Sequence, residues 1–173
     1  MSSARTSAGA APTDRAGGMR TGAFVVMLAV LVAAIALAPV AVVRPILDGT
    51  AQIAHALLDT VGVNSVLDGN LILMPERTLL VSRDCTAAYL LAVYTSLVMC
   101  YRASRRDKLR ALTVGVPVLL AANMARIVGA GVVAKYSPAS FEVMHDYVFV
   151  VALMFAVIAL WLFWIRTVKS GES

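Results

Sequence analysis

The sequence predicts an all-α integral membrane protein of about four transmembrane helices, with an extracytoplasmic amphipathic helix and a small β-hairpin. Three observations carry that class. The 173-residue chain is 60% hydrophobic and only 14% charged, and its mean hydropathy of +0.83 lies far above that of soluble domains. Four apolar segments, residues 21–43, 86–101, 111–134 and 147–165, reach or approach the roughly 20 helical residues that cross a hydrocarbon core. The basic residues fall in blocks between these segments, so the net charge of +5 reports orientation in a bilayer and gives no reason to expect a nucleic-acid partner.

Taken in order, residues 1–19 are rich in Ser, Ala, Thr and Gly without periodicity and read as a disordered cytoplasmic tail. Residues 20–168 form a single transmembrane domain, and 169–173 a short cytoplasmic tail. The first apolar segment follows Arg20 and contains Ala36-Leu37-Ala38, which resembles a signal cleavage site. Pro39 directly after it disfavours cleavage, and the run is too long for a signal h-region, so an uncleaved anchor is expected. In the outer segment, residues 44–85, Ile46, Ile53, Ala54, Leu57, Leu58 and Val61 recur near helical spacing, which predicts an amphipathic helix on the membrane surface. His55 on that helix reads as an interfacial histidine without catalytic duty. Beyond Gly62, residues 63–67 and 71–74 read as two short strands around an Asp68-Gly69 turn. The second span borrows Asp84 and Cys85 at its outer end. The Ser137-Pro138 pair is an N-cap and first-turn signature, so the last helix is expected to begin near Pro138.

Charge sets the topology. Arg5, Arg15 and Arg20 precede the first span, Arg102, Arg105, Arg106, Lys108 and Arg110 fill the second connection, and Arg166 and Lys169 follow the fourth span. The positive-inside rule makes all three regions cytoplasmic. The first connection sets Arg44, Arg77 and Arg83 against Asp48, Asp59, Asp68, Glu76 and Asp84, and the third has only Lys135 as a fixed cation, so both are outside. The expectation is a multi-pass plasma-membrane protein with both termini cytoplasmic.

The polar residues inside these spans carry the functional signal. Arg126 lies in an otherwise apolar helix, about 24 Å above Arg110, and an arginine at mid-span costs about 2.5–3.5 kcal/mol on insertion scales. Asn123 is one turn below on the same face, and Gly129 and Gly131 follow where close helix approach would need them. A snorkelling cation explains a lone arginine; an arginine with an amide on the same face is better explained by an inward polar stripe. Cys85 and Cys100, separated by about 22 Å of helix, cannot form a disulfide; Cys85 is at the outer end of the second span and Cys100 near its inner end. His145 lies about two turns into the last helix, at the outer interface. Cys85, Arg126 and His145 therefore share one depth on one side. A thiol, an imidazole and a fixed cation are the parts of a cysteine acyl-transfer centre, and a neighbouring arginine favours the thiolate. Thr86, Arg83 and Asp146, with Asn123, complete the candidate set as substrate-binding or supporting residues. No zinc-spaced cluster, phosphate-binding glycine loop or nucleophile elbow is present in the sequence, and no metal or cofactor is expected.

"DCTA", "NMARIV" and "YSPASFEVMHDYVF", in this order at membrane boundaries or within a span, resemble the exosortase/archaeosortase family of membrane-embedded cysteine transpeptidases, in a compact form. The resemblance covers about residues 63–168. The family's Cys followed by Ser or Thr, its Asn-x-x-Arg-Ile motif and its later His or Arg fall on Cys85-Thr86, Asn123 to Ile127, and His145. Larger relatives have more spans and a glycine two residues after the Cys, where this chain has Ala87. The resemblance implies that the partners are membrane proteins with a C-terminal sorting tail, cleaved at the outer face of the bilayer and passed to an acceptor of unknown identity, or to water. Cys85 would be the nucleophile and His145 the proton donor to the leaving amine, while Arg126 would stabilise the oxyanion or anchor the thiolate. The competing class is a non-enzymatic membrane assembly protein whose Asn123 and Arg126 bind partner helices.

Overall fold

The computed structural model describes residues 19–170; the tail expected over 1–19 lies, apart from Met19, outside the described residues, as do residues 171–173. The helix α1 (Thr21–Leu37) is apolar on all sides and buries none of its residues, as a helix surrounded by lipid would. It packs along α3 (Ala88–Cys100).

The first span ends earlier than the apolar run suggests. Pro39 biases Ala38 away from helical backbone, and Ala38 is indeed extended at φ −58°, ψ 132°. The next helix, α2 (Val40–Thr60), starts directly after the proline and leaves at 89° to α1. Residues 40–43 thus belong to the amphipathic helix, a correction to the predicted boundary at 43. The amphipathic helix itself is present, with a division of faces that the sequence did not reveal. Ala51, Ala54 and Leu58 are fully buried against the protein, whereas Ile46, Ile53, Leu57 and Val61 remain exposed. Ala51, Ala54 and Leu58 face the bundle, and Ile46, Ile53, Leu57 and Val61 form a second apolar face that is open among the described residues.

The expected hairpin is part of a three-stranded antiparallel sheet of order β1-β2-β3. β1 (Val66–Asp68) and β2 (Leu71–Leu73) pair with Asp68 opposite Leu71, so the turn residues are Gly69 and Asn70, one position later than expected. Gly69 has φ +59°, a conformation that glycine adopts at little cost. β3 (Thr78–Leu80) pairs with β2, with Ile72 opposite Leu79. Ile72, Leu79 and Val81 point into a core shared with Leu58, Ile127, Ala130 and Phe141.

After the sheet come a 3-10 turn (Arg83–Cys85) and α3. At 13 residues α3 is about 20 Å long, shorter than a typical hydrocarbon core of about 30 Å. α4 (Arg105–Tyr136) has 32 residues and starts before the predicted span because the Ser104 hydroxyl accepts from the Asp107 N–H, an N-cap that extends the helix into the basic connection. The last helix begins at Pro138, as expected, with a 3-10 turn (Pro138–Ser140). It continues through the short α5 (Phe141–Val143), a π turn (Met144–Val148) and α6 (Phe149–Ser170). Two helices, 105–136 and 138–168, are long and apolar enough to cross a membrane, and the bent pair α1–α2 makes a third if counted as one span; α3 is a shorter apolar helix.

Two glycines set helix spacing. A Cβ on Gly131 would run into Leu58, so α2 packs closely on α4, and a Cβ on Gly115 would enter the ring of the buried Tyr94. Tyr94 donates to the Ala111 carbonyl at 3.0 Å and anchors a second core, with Leu90, Val98, Leu119, Val157 and Trp164, at the end of the bundle away from the sheet.

Candidate active site

Cys85 closes the 3-10 turn between β3 and α3. Its backbone N–H donates to the Ser82 carbonyl at 3.0 Å and that of Thr86 to the Arg83 carbonyl at 3.1 Å. The Thr86 hydroxyl donates to the same Arg83 carbonyl at 2.7 Å and accepts from the Ala88 N–H at the start of α3 at 3.4 Å. Thr86 is therefore a local brace that ends one turn and starts the next helix. The thiol is partly exposed. It donates to the Leu80 carbonyl at 3.7 Å and receives the Ser82 hydroxyl at 3.7 Å.

From α4, Asn123 and Arg126 reach across to this turn. Asn123 Nδ2 donates to the Cys85 carbonyl at 2.8 Å, and Arg126 Nη1 donates to the Asp84 carbonyl at 3.3 Å. Both residues are buried, with exposures of 4% and 9%. The polar stripe read from the sequence is thus an inward one: two side chains one helical turn apart hold two successive carbonyls of the cysteine turn. Arg126 Nε is buried and has no partner among the described residues. A buried, unpaired N–H costs about 1–3 kcal/mol; Ser96 Oγ, Tyr101 OH and Trp161 Nε1 are in the same state, and of the four only the Arg126 Nε belongs to a residue that lines the cysteine cleft.

His145 sits in the π turn, a local widening that recurs at functional positions inside helices. Its ring stacks on Phe141, with centroids 5.3 Å apart and planes within 10°. The other residue over Phe141 is Arg77, 4.3 Å from the ring centroid, and Arg77 pairs with Glu142 at 3.2 Å. The chain from β3 is thereby tied to the helix that carries His145. His145 Nδ1 is 2.9 Å from Asp146 Oδ1. An ionised carboxylate only accepts, so Nδ1 donates in this pair, and in the neutral ring the lone pair is then on Nε2.

Cys85, Arg126 and His145 line one narrow cleft of about 20 Å³, with Leu79, Leu80, Val81, Ile127 and Ala130. A second cleft of about 240 Å³ shares Arg126 with it and lies between α3 and α6. Asp84, Thr86, Tyr89, Asn123 and Arg126 line it with the apolar Leu90, Val150, Leu153 and Met154.

Arg83 departs from its expected place. Its guanidinium turns away to the end of α1, with Nη1 3.1 Å from the Ile35 carbonyl and 2.6 Å from that of Ala36, and Nη2 2.8 Å from that of Ala38. The last carbonyls of a helix lack partners and carry partial negative charge, and a forked cation satisfies several together. Cys100 is buried at the far end of α3, where its carbonyl accepts from the Arg20 N–H at 3.2 Å. His55 lies outside the cleft and bonds Ser65 at 2.7 Å. Sequence reading missed Ser82 and Phe141. A hydroxyl three residues before a cysteine at a helix start is a faint signal for the first, and an aromatic four residues before the histidine on one helix is a faint signal for the second.

Helices sized for a bilayer, a small sheet at one end, and a cleft there that holds a thiol, a guanidinium and an imidazole define an integral membrane protein with a cysteine-containing polar centre. The chain matches the family model described as transmembrane exosortase (Exosortase_EpsH) over residues 15–164, and it belongs to that family. Membership implies a transmembrane, sorting-related function. No curated protein and no solved structure matches the chain.

Proposed function

We propose that the protein is a membrane-embedded cysteine peptidase or transpeptidase. In this reading it cleaves substrate proteins at a C-terminal sorting signal on the extracytoplasmic face of the plasma membrane and passes them to an acceptor. The observation that carries the reading is the single cleft shared by Cys85, Arg126 and His145. His145 Nε2 takes the thiol proton as Cys85 Sγ attacks the scissile carbonyl. The oxyanion so formed meets the Nε–H of Arg126, a buried donor without a partner among the described residues, in a low-dielectric site where such a donor acts strongly. The C–N bond then breaks, the leaving amine takes the proton from His145, and a thioester remains on Cys85. An acceptor nucleophile displaces the thiolate and restores the thiol. Asp146 holds the imidazole and Asn123 holds the turn. The apolar wall of the adjoining cleft suits the hydrophobic tail helix of the substrate. The sheet end is the outer one in this reading, because the basic connection before α4 is at the opposite end and the positive-inside rule puts it in the cytoplasm.

The test is co-expression with a membrane protein of the same genome that ends in a short motif, a hydrophobic helix and Arg or Lys residues. The expected result is loss of that tail with the wild-type enzyme and retention with Cys85→Ala at equal protein level. Tail loss that persists in Cys85→Ala would reject the cysteine mechanism.

A further inference from the structure

β3 is an edge strand, since the sheet order is β1-β2-β3. Its hydrogen-bonding parity can be read from its ends. Val81 N–H donates to the Asn70 carbonyl and Met74 N–H to the Arg77 carbonyl, with Ile72 opposite Leu79 between them. Residues 77, 79 and 81 therefore turn their backbone groups to β2, and Thr78 and Leu80 turn theirs to the open edge. Thr78 and Leu80 are also the exposed residues of the strand. The Leu80 carbonyl on this edge is the one that receives the Cys85 thiol at 3.7 Å, so the reacting sulfur lies against the free edge of the sheet.

Resting on the cysteine-peptidase reading, we propose that the substrate segment around the scissile bond binds as a fourth strand on β3. A substrate that continues into a tail helix runs in the same sense as this chain does from β3 through Cys85 into α3, so the added strand is parallel to β3. In a parallel pair, the substrate residue opposite Leu79 donates its N–H to the Thr78 carbonyl and accepts from the Leu80 N–H. The substrate N–H two residues on then donates to the Leu80 carbonyl, which displaces the thiol from that acceptor and frees it beside the scissile bond. Main-chain bonds of this kind give affinity with little demand on side chains, so the edge fixes the extended shape and position of the segment and leaves side-chain choice to the walls of the cleft.

The test uses the co-expressed tail-bearing membrane protein as probe. Leu80→Pro removes the outward N–H without touching a bond to β2, at a kind of position where edge strands accept proline. Its cleavage rate should be at least about tenfold below that of Leu80→Ala, which keeps the donor, given the worth of a backbone bond and the added bulk of the ring. The alkylation rate of Cys85 by iodoacetamide should stay within about twofold, on the same comparison. Independently of whether the proline variant folds, Thr78→Cys in an enzyme carrying Cys85→Ala and Cys100→Ala is oxidised with single cysteines scanned through the substrate segment. A crosslink at one substrate position that moves two residues on when Leu80→Cys takes the place of Thr78→Cys supports strand addition. A shift of three or four, no crosslinks, or crosslinks between two enzyme copies would overturn it. If strand addition fails while Cys85→Ala still abolishes cleavage, the peptidase reading stands without it; cleavage by Cys85→Ala removes the reading itself.

Discussion

Replacing Arg126 by lysine keeps the charge and removes the fork. In the proposed mechanism the guanidinium has two separate tasks: Nη1 holds the Asp84 carbonyl at 3.3 Å, and the Nε–H, buried with no partner among the described residues, meets the oxyanion. A lysine ammonium is one point on a flexible stem and can serve the carbonyl or the oxyanion, not both at the spacing of the fork. Loss of one oxyanion donor lowers rates by roughly 10²–10³, and the Asp84 carbonyl contributes only about 1 kcal/mol of stability, as a typical net hydrogen bond does. Arg126→Lys should therefore accumulate at nearly wild-type level and cleave the co-expressed tail about 10²–10³ more slowly. The assay is a time course of tail loss by immunoblot, normalised to enzyme level, with the alkylation rate of Cys85 as a check that the turn is intact. Cleavage at the wild-type rate would remove Arg126 from the catalytic group. A variant missing from the membrane would show that the guanidinium is chiefly structural.

His145→Ala should slow tail cleavage by about 10²–10⁴, the usual worth of a general acid–base group; near-normal cleavage would mean that another group moves the proton. Cys100→Ala should cleave normally, because Cys100 is buried at the far end of α3, and equal loss in Cys85→Ala and Cys100→Ala would defeat the assignment of the nucleophile. In a cysteine-free background, Ser140→Cys should be labelled by an impermeant maleimide in intact cells and Ser104→Cys should not; the reverse pattern would put the cleft on the cytoplasmic face. Gly115→Ala should destabilise the protein by about 1–3 kcal/mol through overpacking against Tyr94, read as a lower melting temperature in detergent, and an unchanged melting temperature would contradict that close approach.

The parts of this molecule that were legible in the sequence are those where local chemistry and tertiary structure agree. Proline after serine marks the start of the last helix at Pro138, and the spacing of Asn123 and Arg126 gives one helix face. The expense of an arginine within a span marks it as engaged, which its hydrogen bond to Asp84 bears out. The hairpin was legible from its glycine turn. β3 was not, because three residues behind Pro75 and Glu76 are too few to show alternation, and the strand exists only because β2 is there to pair with it. The role of Arg83 was hidden for a different reason. Its partners are carbonyls some 45 residues earlier, and a helix end advertises no particular residue as its cap when the cap comes from elsewhere in the chain. The π turn around His145 likewise leaves no mark in a periodicity that assumes one residue count per turn.

The grip of Arg83 on α1 has a mechanical consequence. α1 buries none of its residues in the protein, so lipid is its main environment. At 17 residues it is about 25 Å long. Its upper end is fastened by one guanidinium to the turn that carries Cys85, two residues further on. Its other end is tied to α3, where the Arg20 N–H donates to the Cys100 carbonyl at 3.2 Å, so the helix is held at both ends to the segment that carries the thiol. A thicker or thinner membrane makes such a helix tilt or shift at modest cost, and any such movement is passed to the cysteine turn through that clamp. On the proposed orientation, the depth of the thiol relative to the hydrocarbon follows the tilt of α1.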